Sequence, residues 1–439
     1  MSEKVVKVGL LGFGVVGQGA WKHLTQGEAG LEKLLGVRIE LAKASVRDLK
    51  KTRDLSIPSE KLTTDSWEIV DDPEIDLVCE LMGGINPARE LTLAAIAKGK
   101  HVVTANKALI CEHGAEIFQA AETSKVHYGF EASVAGGIPI IKAIRESLVA
   151  NDFKLIYGIL NGTSNYILTR MEKEGAPFDE VLAAATELGY VEADEALDLD
   201  GFDAAHKAVI LAYLAHGIWA PEGGFPIEGI RRISTEDLQA AGKLNCKVKL
   251  IAVIRRDFET NGVALGVYPA LVPMSEVIAR TDGVYNGISV TGDVLGTTVL
   301  TGRGAGQDPT ASSVISDVVD AVKVIRGDKP PPKLLHTHEG VCRLASPSEV
   351  EGSFYLRLTV EDKPGQLARV ADTLADQGVS IATVLQSGIP ERSAASIILT
   401  THATNEHSIS MAIDALESLS GVLDKPVLLR MFDPNNHSK

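Results

Sequence analysis

Residues 4–17 read KVVKVGLLGFGVVG, and this stretch decides the fold. Its first eight residues are β-branched and apolar almost throughout, the pattern of a strand buried on both faces. Gly12-Phe13-Gly14-Val15-Val16-Gly17 follows at once and opens a helical stretch to about Leu24. Working outward, Val37–Val46 reads as a second strand, followed by the charged run Arg47-Asp48-Leu49-Lys50-Lys51-Thr52-Arg53. Asp65–Val70 has the look of a short helix, and Ile75–Leu81 of a buried strand ending at Gly83-Gly84. A helix over Pro87–Lys98 leads to a strand over Lys100–Thr104. Strands alternating with helices predict an α/β fold with a doubly wound, parallel Rossmann sheet.

At 439 residues the chain has room for two or three domains of about 150 each. Its 45% hydrophobic and 23% charged residues exclude a disordered or collagen-like chain. A net charge of −15 repels a phosphate backbone and argues against nucleic-acid binding. No apolar run approaches the roughly 18 residues of a membrane-spanning helix. The apolar start is broken by Gly9, Gly12 and Gly14 and lacks a small-x-small cleavage site, so it does not read as a secretion signal. Cys79, Cys111, Cys246 and Cys342 are scattered without a C-x-x-C, which fits a reducing cytoplasm with no disulfide or zinc site.

Beyond about Phe130 the texture changes. A Gly-rich segment at 131–140 precedes a helix expected over Ile141–Val149, and Phe153–Leu160 reads as a strand running into Asn161-Gly162-Thr163-Ser164-Asn165-Tyr166. Helical patterns follow at 165–174, 178–188 and 203–217, strands crowd Asn245–Leu300, and an apolar helix is expected at about 310–325. This is a second, mixed α/β domain. Residues 327–350, with Pro330-Pro331-Pro332, have the composition of a stiff linker. After it the order is a strand at 353–360, a helix begun by Asp362-Lys363-Pro364-Gly365-Gln366-Leu367 and running through Gln377, strands Val379–Gln386 and Ala394–Thr400, a helix Glu406–Leu419 and a strand Val427–Met431. A βαββαβ order in about 80 residues is the ferredoxin-like split βαβ plan.

Three constellations carry chemistry. In the Gly-rich turn, Gly12 permits the tight turn, Gly14 lets backbone amides approach a pyrophosphate, and Gly17 lets helix and strand pack closely. The diphosphate then meets the positive end of a helix. NAD sites place an acid at the end of the second strand, where this chain has Ala44-Ser45-Val46-Arg47 with Lys50, Lys51 and Arg53 behind. That favours a 2′-phosphate and hence NADP(H), with NAD(H) kept open by Asp48. Second, Asp203 and Lys207 stand four apart at the start of a helix apolar almost all round, so they share a face where unpaired charge is costly. An ordinary surface ion pair is the alternative there. Third, Lys107 follows Val103-Thr104-Ala105-Asn106 where a parallel strand ends, and ligands gather at the carboxyl ends of such strands.

These residues resemble the homoserine dehydrogenase family, in its single-function bacterial form with a C-terminal ACT domain. The likeness covers nearly the whole chain and rests on GLLGFGVVGQG (9–19), VVTANKAL (102–109), FEASVAGGIPI (130–140), GILNGTSNYIL (158–168), LGYVEADEALDLDGFDAAHK (188–207) and GRGAGQDPT (302–310). It implies NAD(P)-dependent interconversion of L-homoserine and L-aspartate 4-semialdehyde, on the route to threonine and methionine. It makes Lys207 the proton donor and acceptor at the substrate's C4 oxygen, assisted by Lys107. Burial lowers a lysine from its ordinary value of about 10.4 towards working pH, which suits that task. Glu192, Asp198 and Asp203 become substrate-binding acids. Phe13, Val15, Val16, Arg47, Thr104, Lys107, Gly189 and Gly306 join the three turn glycines in the cofactor site. A structural sodium or potassium ion is implied at Glu131, Val134, Gly136 and Ile138, through backbone carbonyls.

The resemblance divides the chain into an NADP-binding domain (1–134), a substrate and dimerisation domain (135–326), a linker (327–350) and an ACT regulatory domain (351–433). The turn Asp362-Lys363-Pro364-Gly365-Gln366-Leu367 carries the ACT pattern, with L-threonine the expected effector. A homodimer or homotetramer is expected, since such modules pair across two-fold axes. Aspartate-semialdehyde dehydrogenase is a poorer fit, because its thioester chemistry needs a nucleophilic cysteine in a cleft motif. A non-catalytic metabolite sensor would need an output module, and the sequence has neither a helix-turn-helix nor a basic patch.

Overall fold

The computed structural model describes residues 5–55, 57–191, 194–221, 223–336, 341–389 and 393–435. In its first part the chain forms β1 (Val5–Leu11), α1 (Val15–Gln26), α2 (Glu28–Leu35), β2 (Arg38–Ser45), β3 (Leu62–Thr63) and α3 (Trp67–Val70). Then come β4 (Leu77–Glu80), α4 (Ala88–Ala97), β5 (His101–Thr104), α5 (Lys107–Ser124), β6 (Tyr128–Gly129) and α6 (Ile140–Lys142). The middle holds β7 (Phe153–Ile159), α7 (Gly162–Glu174), α8 (Phe178–Glu187), α9 (Glu195–Leu199), α10 (Phe202–His216) and α11 (Thr235–Lys243). Strands β8 (Cys246–Arg256), β9 (Gly262–Pro273), β10 (Tyr285–Gly292) and β11 (Gly296–Arg303) precede α12 (Gln307–Ile325) and β12 (Arg343–Leu344). The last part is β13 (Glu351–Glu361), α13 (Gln366–Asp376), β14 (Ile381–Ile389), β15 (Ala394–Thr401), β16 (Thr404–Asn405), α14 (Glu406–Glu417) and β17 (Val427–Met431).

The chain divides into two compact units. The first comprises residues 1–152, 209–219 and 300–341, and the second residues 153–208, 220–299 and 342–439. In the first, the sheet order β3-β2-β1-β4-β5-β6 is parallel throughout, the doubly wound arrangement. Val6, Val8, Leu10 and Leu11 of β1 are buried, as its apolar residues require, while Lys7 is only partly buried. Phe13 and Trp21 meet edge to face at 5.7 Å under α1. Gly19 faces α12 so closely that a Cβ would lie 2.8 Å from the Gln307 carbonyl, which is why the late helix packs here.

Two helices of this unit, α2 and α5, go beyond the sequence reading, and the helix expected over Ile141–Val149 is a single α turn followed by a π-helical turn ending at Ser147. The proline-rich segment is fastened rather than free-standing. Glu122 accepts the N–H groups of Leu334 and Leu335 at 2.6 and 2.8 Å, and Arg145 donates to the Lys333 carbonyl.

The second unit is built on a mixed sheet whose strands run β11-β10-β7-β8-β9-β17-β13-β15-β14. Strands β7 to β10 are antiparallel neighbours where they pair. The βαββαβ module contributes β17-β13-β15-β14, the strand order of the split βαβ plan, over a core of Phe354, Leu356, Leu358, Ile397, Leu399, Ile409 and Leu416. Its last strand does not end the sheet. β17 lies parallel to β9, with Arg430 opposite Ala270 and Met431 opposite Leu271.

Two arginines fix this junction, Arg430 buried and Arg357 partly buried. Arg430 forks onto Glu406 at 2.8 and 2.9 Å, reaches Glu228 at 2.8 Å and stacks over Tyr268. Arg357 forks onto Asp237, which also accepts the Tyr355 hydroxyl and closes the capping box of α11 with Ser234. No helix among the described residues is long and apolar enough to cross a membrane.

Asp237 is fully buried, so Asp237→Ala leaves the Arg357 guanidinium without its counter-charge. Loss of one partner of a buried pair costs about 3–5 kcal/mol. Chemical denaturation of the variant should show a drop of that order, and a wild-type midpoint would contradict the anchoring role.

Candidate active site

In the first unit, the carboxyl end of β1 turns through Gly12 at φ +100°, where a Cβ would sit 2.7 Å from the Leu81 carbonyl. A Cβ on Gly17 would lie 2.4 Å from the Gly12 carbonyl, whereas Gly14 faces open space. The N-terminus of α1 has no acidic residue in its first turn, so its positive end is uncompensated. Val15 is exposed, while the Phe13 ring is buried against Trp21, so only the backbone of Phe13 is available to a ligand.

The Gly12 N–H donates to Ser45 Oγ, which also accepts from Ser66, so a hydroxyl stands at the end of β2. Arg47 beyond it is exposed. The Asp48 carboxylate folds back to accept the Lys50 N–H, and Arg53 donates to the carbonyls of Asp48 and Lys51.

The neighbouring strand ends are tied by Glu80, a fully buried carboxylate whose ordinary value is pushed up by burial. It accepts the Thr104 hydroxyl at 2.7 Å and the Met82 N–H at 2.9 Å. The Thr104 side chain is therefore turned inward. Asn106 then caps α5 through the Leu109 N–H and donates to the Gly84 carbonyl, placing half-buried Lys107 at the first turn of the helix.

Glu131 holds a different turn. Its carboxylate accepts the N–H groups of Ile141 and Lys142, and its own N–H donates to Asp317. Burial, reinforced by Asp317, pushes Glu131 up to about 7, and burial raises Asp317 to about 6. Between Glu131 and Ile138 the chain passes through Ala135 and Gly136, both at positive φ, with the Gly136 carbonyl accepting the Ser313 hydroxyl at 2.6 Å. Val134 and Ile138 are buried beside them. No group of three or more His, Cys, Asp or Glu side chains among the described residues is placed to hold a metal ion. A cation here would rest on backbone carbonyls, and the two proton-hungry acids are the kind of neighbours that favour a positive charge.

The second unit gathers the lysine-bearing cluster. At the start of α10, Lys207 donates to Asp203 Oδ2 and to the Leu160 carbonyl, each at 2.7 Å. Lys207 is 8% exposed and Asp203 3%. Two of the three ammonium N–H bonds thus have fixed acceptors. Asn161, between β7 and α7, donates from Nδ2 to Asp198 Oδ1 at 2.7 Å and to Asp203 Oδ2 at 2.9 Å, while its Oδ1 caps α7 by accepting the Ser164 N–H. Ser164 Oγ donates to the Asp198 carbonyl. Sequence reasoning passed over Asn161 and Glu80. The only local signal for Asn161 is an Asn at the junction of a buried strand and a helix, where an N-cap belongs.

Gly189 closes the C-terminus of α8 at φ +71°, and Gly306 precedes α12 at φ +118°. Tyr190 meets Tyr166 edge to face at 4.9 Å, and its carbonyl accepts the Thr163 hydroxyl. Glu192 lies outside the described residues.

A curated homoserine dehydrogenase from Synechocystis sp. is 43% identical over 433 residues, covering 97% of this chain and 99% of the relative. The chain belongs to the homoserine dehydrogenase family. Another from Pseudomonas aeruginosa is 42% identical over 98% of this chain and all of the relative. Residues 139–319 match the homoserine dehydrogenase family, 12–131 its NAD-binding domain and 354–421 the ACT domain. The crystal structure of a homoserine dehydrogenase from Thiobacillus denitrificans superposes with a TM-score of 0.89 at 42% identity, covering 98% of this chain and 99% of that one. One from S. aureus reaches 0.76 at 29% identity, covering 98% and 99%. The chain is therefore an oxidoreductase of this family, with a Rossmann domain and an ACT domain.

Glu80→Ala leaves the Thr104 hydroxyl and the Met82 N–H without their acceptor. At about 1–3 kcal/mol for each of the two groups so stranded, stability to urea should fall by roughly 2–6 kcal/mol. Dinucleotide affinity, followed by cofactor fluorescence, should weaken with it, and a variant matching wild type in both would remove Glu80 from this role.

Proposed function

We propose that Lys207 gives and takes the proton at the C4 oxygen as L-homoserine and L-aspartate 4-semialdehyde interconvert. The observation carrying this is the buried ammonium clamped by Asp203 and the Leu160 carbonyl, its third N–H having no further acceptor among the described residues. When bound, the nicotinamide accepts or returns the hydride at C4. In the reducing direction the Lys207 ammonium donates a proton to the aldehyde oxygen as negative charge develops there and is left as the neutral amine. In the oxidising direction that neutral amine takes the hydroxyl proton and becomes the ammonium. Asp203 orients the ammonium. Asp198 and Glu192 receive the amino group of the substrate, and Lys107 assists near the reacting carbon.

The open space at Gly14 and the uncompensated start of α1 suit a diphosphate. NADP(H) is favoured over NAD(H), because Ser45 stands where an acid would hold the 2′-hydroxyl and Asp48 is engaged by its own loop. Arg47, Thr104, Gly189 and Gly306 complete the proposed cofactor contacts. The carbonyls of Glu131, Val134, Gly136 and Ile138 are the proposed seat of a sodium or potassium ion. The family segments matched at 12–131, 139–319 and 354–421 fall within the proposed spans 1–134, 135–326 and 351–433, with 327–350 between.

The enzyme is placed in the cytoplasm, on the route to threonine and methionine, as a homodimer or homotetramer. L-threonine is the proposed effector at the ACT turn. There Gly365 at φ +91° opens α13, and Gln366 Oε1 is a buried acceptor with no partner among the described residues.

Lys207→Ala should abolish nicotinamide reduction by L-homoserine, by about 10²–10⁴-fold, with dinucleotide binding retained. Unchanged turnover, assayed with both cofactors, would dispose of the assignment. Titrating threonine should lower wild-type turnover, while Gln366→Ala keeps turnover and loses the inhibition. A wild-type enzyme indifferent to threonine ends the regulatory reading.

A further inference from the structure

We infer that Asn161 is the positioning residue of the active site, setting the separation and orientation of Asp198 and Asp203 and, through Asp203, of Lys207. This rests on the catalytic reading of Lys207. Two carboxylates buried at 2% and 3% exposure repel one another unless a donor stands between them. The Asn161 amide is that donor, with both N–H bonds of Nδ2 in use.

Its orientation is not free to change. Oδ1 is held by the Ser164 N–H at 2.8 Å, so the amide must present nitrogen to the acids. The residue before it, Leu160, supplies the carbonyl that holds the Lys207 ammonium, and Asp203 Oδ2 accepts from both Nδ2 and Nζ. One dipeptide at the end of β7 therefore fixes the lysine from two sides. Among the described residues, the charged groups bonded to the amide are Asp198 and Asp203, with Lys207 bonded to the latter.

The residue type follows from this geometry. Aspartate caps a helix as well as asparagine does but turns a third carboxylate towards the two acids, and serine caps while donating to neither in the same way. Both Asn161→Asp and Asn161→Ser keep a residue that caps α7 and should be folded at the assay temperature, with lowered thermal midpoints and unchanged NADP(H) affinity. In both, kcat should fall about a hundredfold, the scale of an active-site group displaced by about 1 Å. In Asn161→Asp alone, the acidic limb of the kcat/KM profile should move to higher pH, because crowded carboxylates hold protons more tightly.

Wild-type kcat and pH profile in either stable variant would overturn the inference. So would an activity loss that disappears when the assay is run well below each variant's midpoint, or one that merely follows lost cofactor affinity. Retained turnover in Lys207→Ala is a separate failure, because it removes the reaction assigned to the cluster and not only the positioning role.

Discussion

An ammonium cannot sit among apolar helices unless its charge is answered where it lies, and the second unit is arranged around that requirement. Lys207 is answered by a carboxylate one helical turn away and by the carbonyl that closes β7. Each answer creates a further demand. Asp203 brings a second buried acid, Asp198, into range, and the two need a shared donor. That donor must itself be anchored, which the helix cap at Ser164 provides. The chain of obligations runs from a single charge to three separate stretches of sequence, and it explains why so much polar chemistry is tolerated in so dry a place.

The dinucleotide turn follows a different logic. Its working parts are absences: no side chain at Gly14, no acid in the first turn of α1, no carboxylate at the end of β2. Removing bulk and negative charge makes room for a ligand that brings both. Glu80, placed behind the strand ends with its oxygens turned to Thr104 and Met82, stays out of that space.

Much of this was legible in the residues. Periodicity alone marks β1, the glycine turn and the alternation that builds the parallel sheet, because those signals are local. The pairing of Asp203 with Lys207 is legible for the same reason, since four residues is one helical turn. Asn161 was not, because its partners lie 37 and 42 residues away and nothing near it in sequence announces them. Glu80 reads as the last residue of a buried strand, and only the fold brings Thr104 to it. The assignment of residues 209–219 and 300–341 to the first unit depends on packing such as Gly19 against α12, which no window of sequence contains.

The parallel pairing of β17 with β9 makes the ACT module a continuation of the catalytic sheet instead of an appendage on a tether. Backbone ladders of this kind open cooperatively, as a block. The amide protons of Arg430 and Met431 and those of the β9 register they face should then exchange with solvent in a single subglobal event. A ligand that stiffens a module so joined should also raise the cost of opening the strands beside it.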